Sequence, residues 1–171
     1  MSELTSGDLH IPSLVKVSLT YSLKEDRICL DGASASGEVF RMWLTARLLN
    51  RLVPYLVTKQ LEFNADFSAQ TEVPVAGDAS AQSEEERVIC GPEQPGILVT
   101  EVGLSVRKGH VVLTFQDVDR AKKASFAMHP SALDKWNKGL RHCYQQAGWP
   151  QETFTLNSAL QLDEQGAVTI H

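Results

Sequence analysis

Apolar and polar residues alternate over residues 14–23, LVKVSLTYSL, which predicts a half-buried strand with Val15, Val17, Leu19 and Tyr21 on one face. Lys24-Glu25-Asp26 is a polar turn. Ile28 and Leu30 open a second strand, which fades into Asp31-Gly32 and the small residues up to Gly37. Val39 to Leu44 form a third, with Phe40, Met42 and Leu44 on one face. Three consecutive strands with short turns predict an antiparallel meander.

The period then lengthens. From Thr45 to Leu61 the apolar residues are Leu48, Leu49, Leu52, Val53, Leu56 and Val57, a helical stripe with Thr45 as N-cap. Pro54 lies inside it and lacks a backbone donor, so one kinked helix is expected. The first pattern returns at Ile97. Ile97 to Arg107 and His110 to Val118 read as strands joined by a tight Lys108-Gly109 turn, and Ala124 to Met128 as a third. Pro130 then opens a helix with Leu133, Trp136, Leu140 and Tyr144 or Cys143 inward, closed by Gly148. Residues 153–171 read as a terminal hairpin around Asp163-Glu164-Gln165-Gly166.

The two halves align. Val17, Leu19 and Tyr21 match Val102, Leu104 and Val106; Phe40, Met42 and Leu44 match Ala124, Phe126 and Met128; Leu49, Leu52 and Leu56 match Leu133, Trp136 and Leu140. The expected fold is therefore α+β, with duplicated βββα units, antiparallel sheets, helices packed on them and a C-terminal β-hairpin. The halves, about 12–61 and 97–149, would form one domain, related by a pseudo-two-fold axis.

Composition adds the piece between them. The chain carries a net charge of -5, but residues 62–96 hold eight acids against Arg87 alone, or -7, which leaves +2 for the rest. With Pro74, Pro92, Pro95 and the Glu84–Glu86 run, about 64–93 reads as a flexible acidic connector. No apolar run reaches the roughly 20 residues of a membrane span, and the N-terminus lacks a signal-peptide pattern, so a cytoplasmic protein is expected. Cys29, Cys90 and Cys143 are too few and scattered for a disulfide framework. Cys29 and Cys143 read as core residues, and Cys90 as an exposed, inert thiol.

Candidate chemistry is sparse. The five histidines form no metal-ligand spacing, and no nucleophile elbow, P-loop or dinucleotide fingerprint is present. No cofactor or metal is expected. Arg41, Trp43, Arg47 and Arg51 form a basic and aromatic cluster that suits an anion or single-stranded nucleic acid. Repeated units of this outline occur in the PUR and whirly nucleic-acid binders, whose diagnostic motifs are absent here. The string Phe40-Arg41-Met42-Trp43-Leu44-Thr45, continuing through Arg47-Leu48 and Arg51-Leu52, with the later AGWP at 147–150, resembles a family of uncharacterised bacterial proteins. The resemblance spans most of the chain and implies no activity. The leading expectation is a non-enzymatic binding or assembly protein acting through protein contacts, with a protein partner or a homodimer. The alternatives are nucleic-acid binding through the basic face, and an enzyme with its site between the halves.

Overall fold

The computed structural model describes residues 11–68, 87–88, 90–155 and 167–171. The chain is α+β. Its strands are β1 (Ser13–Ser22), β2 (Arg27–Ser34), β3 (Val39–Leu44), β4 (Gly96–Leu98), β5 (Glu101–Arg107), β6 (His110–Gln116), β7 (Lys123–Met128) and β8 (Val168–Ile170). Helix α1 (Ala46–Ser68) follows β3, and α2 (Pro130–Ala147) follows β7. The strands join in one sheet of order β4-β3-β2-β1-β7-β6-β5-β8, mostly antiparallel. The parallel pairs are β1 with β7 and β3 with β4.

This order forces the sheet to close. β4 and β5 are six strand spacings apart, about 29 Å in a flat sheet. Yet only Val99 and Thr100 separate them, and three residue steps span at most about 11 Å. The sheet therefore curls until β4 runs into β5. Adjacent amides mark the closure: Val99 N–H donates to the Trp43 carbonyl at 3.1 Å, and Thr100 N–H to the Gln116 carbonyl at 3.0 Å. One residue thus bonds the first meander, and the next bonds the second.

Closure turns the apolar faces of both meanders toward a single core. Leu30 and Met42 from one side and Leu104, Leu113 and Phe115 from the other belong to one buried cluster, with Leu49, Leu52 and Leu56 of α1 and Leu133, Leu140 and Tyr144 of α2. α2 lies on β1, where Gly139 lets the helix approach Leu19. The helices are tied by Tyr144 Oη donating to Asn50 Oδ1 at 2.8 Å, and by Gln60 Nε2 donating to Asp134 at 2.6 Å.

The caps are as expected. Thr45 Oγ1 accepts from Leu48 N–H at 3.3 Å, Pro130 opens α2, and Gly148 closes it with φ 67°. Lys108 and Gly109 both have positive φ, as a two-residue hairpin turn requires.

Four expectations are corrected. A register shift between Leu14 and Lys16 places Leu14 in the core and leaves Val15 56% exposed, because a bulge reverses which side chains face inward. α1 continues past Leu61 to Ser68, into the expected connector, because Phe63 still packs against the core. The strand expected from Ile97 to Arg107 is broken at Val99–Thr100 into β4 and β5. Phe154 lies in a single 3-10 turn, 152–154, where its ring packs edge-on against Tyr144 at 5.0 Å; only β8 of the expected hairpin is seen as a strand. The remainder of that hairpin, and connector residues 69–86, lie outside the described residues.

Candidate functional site

The four residues of the basic cluster are placed apart in function. Arg41 lies on the face of β3 opposite Met42, opposite Asp31 of β2. Its Nε and Nη2 donate to the two Asp31 oxygens, each at 2.9 Å, a bidentate pair. Nη2 also donates to the Cys90 carbonyl at 3.2 Å. Arg51 Nη1 donates to the His171 main-chain oxygen at 2.6 Å. Arg47 is exposed, with no ion pair among the described residues. Trp43 is half-buried, with its indole over Gly96 of β4.

Sequence reasoning missed Asp31 and misjudged Cys90. Asp31 is buried on the outer face of the meander. Besides Arg41, it accepts from Cys90 N–H at 3.3 Å and from the Cys29 thiol at 3.3 Å. Burial alone would raise its carboxyl; the bonds from Arg41, the Cys90 amide and Cys29 outweigh this and hold it below its usual value. Hydrogen bonding to Asp31 holds the Arg41 guanidinium firmly charged. Cys90 is 3% exposed, correcting the expectation of an exposed thiol, because its backbone is held down on this ion pair. Burial, then the Asp31 charge, pushes Cys29 up to about 12 and Cys90 to about 11. Both thiols stay protonated near neutral pH, which makes them poor nucleophiles. Counting across the β2–β3 turn would have set Asp31 opposite Arg41, and that register was the available signal.

A second feature lies where the meanders meet. Ser13 and Leu14 of β1 pair with Ser125 and Phe126 of β7, and Ser125 N–H donates to the Pro12 carbonyl at 2.8 Å. Beside this seam is a cleft of about 390 Å³. Phe40, Pro95 and Ile97 give it apolar walls from the first meander and β4, and Ile11 adds to them from the entry to β1. Arg120 and Lys122 of the β6–β7 turn and Lys123 at the start of β7 line the opposite side. Arg120 is paired with Glu101 at 3.1 Å, while the Lys122 and Lys123 ammoniums have no ion pair among the described residues. Ile11, in its lining, is 39% exposed. The described lining contains no His, Cys, Ser or Thr, hence no hydroxyl or thiol nucleophile and no imidazole base.

Among the described residues no group of three or more His, Cys, Asp or Glu is placed to hold a metal ion. Among the described residues no helix is long and apolar enough to cross a membrane. Comparison of the chain with protein-family models, with curated proteins and with solved structures finds no match in any of the three.

Proposed function

We propose that this chain is a non-enzymatic, cytoplasmic binding protein that engages a protein partner, or a second copy of itself, at the seam between its meanders. The observation that carries this reading is the cleft itself, with apolar walls at Phe40, Pro95, Ile97 and the exposed Ile11 and with Lys122 and Lys123 on its other side. A concave surface with apolar walls and a polar rim favours a partner that buries it. The nucleic-acid reading has less support, because Arg41 and Arg51 have their guanidinium groups engaged within the fold. An enzyme at the same cleft would have no hydroxyl, thiol or imidazole among its described lining residues.

The scaffold reads as a duplication. Exchanging β1–β3 with β5–β7 turns the β1–β7 seam into the β3–β4–β5 seam, and both are parallel. Two equivalent seams support a repeated βββα unit with a pseudo-two-fold relation. β8 pairs antiparallel with β5 at the end of the strand order and so extends the second meander, as the terminal segment of the expected hairpin would.

The test compares the wild-type protein with an Ile11→Asp/Lys122→Glu variant, which alters both sides of the cleft, and with Arg47→Ala as control. Light scattering on a sizing column reads self-association, and quantitative affinity capture reads other partners. Wild-type and Arg47→Ala should associate alike, and the seam variant should lose that association. Unchanged association in the seam variant refutes the reading, as does a wild-type chain that is monomeric and captures nothing above background. Salt-dependent binding of a labelled single-stranded oligonucleotide would favour the nucleic-acid reading instead.

A further inference from the structure

Residues 90–98 cross the outer face of the first meander and end as β4. Of these nine residues Cys90 is buried, Gln94 and Ile97 are half-buried, and the other six are exposed. Polar bonds hold the segment at its start. Cys90 N–H donates to Asp31, its carbonyl accepts from Arg41, and its thiol lies 3.6 Å from the Phe40 carbonyl. Gln94 Nε2 donates to the Val39 carbonyl at 3.2 Å. At its far end only three residue pairs join β4 to β3, Arg41 to Gly96, Met42 to Ile97 and Trp43 to Leu98. Immediately beyond, Val99 is buried in the core.

Segments with few buried apolar contacts, held by hydrogen bonds close to solvent, open at lower free energy than the core beneath them. We propose that residues 90–98 form a strap that lifts as a unit while the apolar core stays packed, and that the Asp31–Arg41 pair is its latch. Each member of the pair holds one side of the Cys90 backbone. Lifting the strap uncovers Cys29 and Cys90 together. It also frees the edge of β3 that carries Arg41 and Trp43, an edge onto which an extended partner segment can pair. The proposal does not depend on the seam reading.

The cysteines provide the readout. Cys29 and Cys90 lie at the latch, and Cys143 lies in the α2 core, 2% exposed. Burial raises all three thiols, so labelling at pH 8 proceeds from opened states in which each thiol is solvated, and the rates report opening. The full-length protein is treated with a disulfide-exchange reagent in native buffer, and labelling at each cysteine is followed by mass spectrometry. Cys29 and Cys90 should label together, well ahead of Cys143. Asp31→Asn should speed both by at least about tenfold, the effect expected from loss of a charge-assisted hydrogen bond, with Cys143 unchanged. Gln94→Ala removes only the strap's bond to Val39 and should speed Cys90 more modestly, which keeps the test open if Asp31→Asn does not fold. A single rate for all three cysteines overturns the strap, because whole-chain unfolding would then be the only opening. Equal Cys90 rates in wild type and both variants overturn the latch.

Discussion

A methyl group added at Gly96 tests how closely β4 is packed against the first meander. A Cβ there would overlap Trp43 Nε1 and lie 2.5 Å from Trp43 Cδ1. Ordinary carbon contacts are about 3.5–4.0 Å, so the indole must retreat by at least about 1 Å. Overpacking of this kind costs about 1–3 kcal/mol. In a chain of this size that lowers Tm by about 2–12 °C. Gly103→Ala is the control, because its new Cβ would meet nothing closer than Thr114 Cβ at 3.8 Å. Removing glycine's freedom there should be neutral or stabilising by up to about 1 kcal/mol. Gly32→Ala falls between them, since its 2.6 Å neighbour, Leu14 Cδ1, is the end of a side chain that can turn aside. Urea and thermal melts of the three variants decide the order. Gly96→Ala should also label Cys90 faster than Gly103→Ala does, because lifting the strap relieves the overlap. If Gly96→Ala melts within about 0.5 kcal/mol of Gly103→Ala, the packing argument fails.

Other perturbations bear on the rest of the fold. Pro54→Ala restores a backbone donor inside the continuous α1 and should stabilise the chain by about 1–3 kcal/mol; a destabilised variant in urea melts would show that the proline ring packs usefully. Phe115→Ala should cost about 3–5 kcal/mol, and Ile170→Ala about 2–5 kcal/mol, both read by denaturant midpoint; a near-neutral Ile170→Ala would mean that β8 does not seal the core. The Asp31 carboxyl is held below its ordinary value in the folded chain, so its contribution is complete above the unfolded value near pH 3.9 and is lost as pH falls through the folded value. The stability gap between wild type and Asp31→Asn should therefore shrink as acid melts go below about pH 4, and a gap constant to pH 2.5 would contradict the pairing.

Much of the fold was legible because local chemistry and burial agreed. The alternation at Val17, Leu19 and Tyr21, the stripe from Leu48 to Leu56, the Thr45 cap and the Pro130 and Gly148 boundaries all describe residues whose neighbours in sequence fix their environment. Three features were not readable that way. The bulge at Leu14–Lys16 reverses the side of Val15 without any glycine or proline to mark it. The break at Val99–Thr100 depends on closure of the sheet, a long-range event that leaves an unbroken apolar pattern in the sequence. Asp31 looked like the fading end of a strand, because an acid at such a position is ordinary until its cross-strand partner is known. For the candidate site, Arg41 and Trp43 were correctly set on the outer face, but what covers them comes from some fifty residues later in the chain.

Closure of the sheet also fixes an order of events in time. β1 cannot complete its margin until Ser125 and Phe126 are available, and β5 cannot take its last partner until Val168–Ile170 is available. A chain made from its N-terminal side can form the first meander early, but from its end at Leu44 some eighty residues must follow before the seam at Ser125 can form. Contacts so distant in sequence slow folding and prolong the exposure of unpaired strand margins. β8 is made after every other described strand, so a nascent chain that has not reached Val168 leaves the β8 side of β5 open.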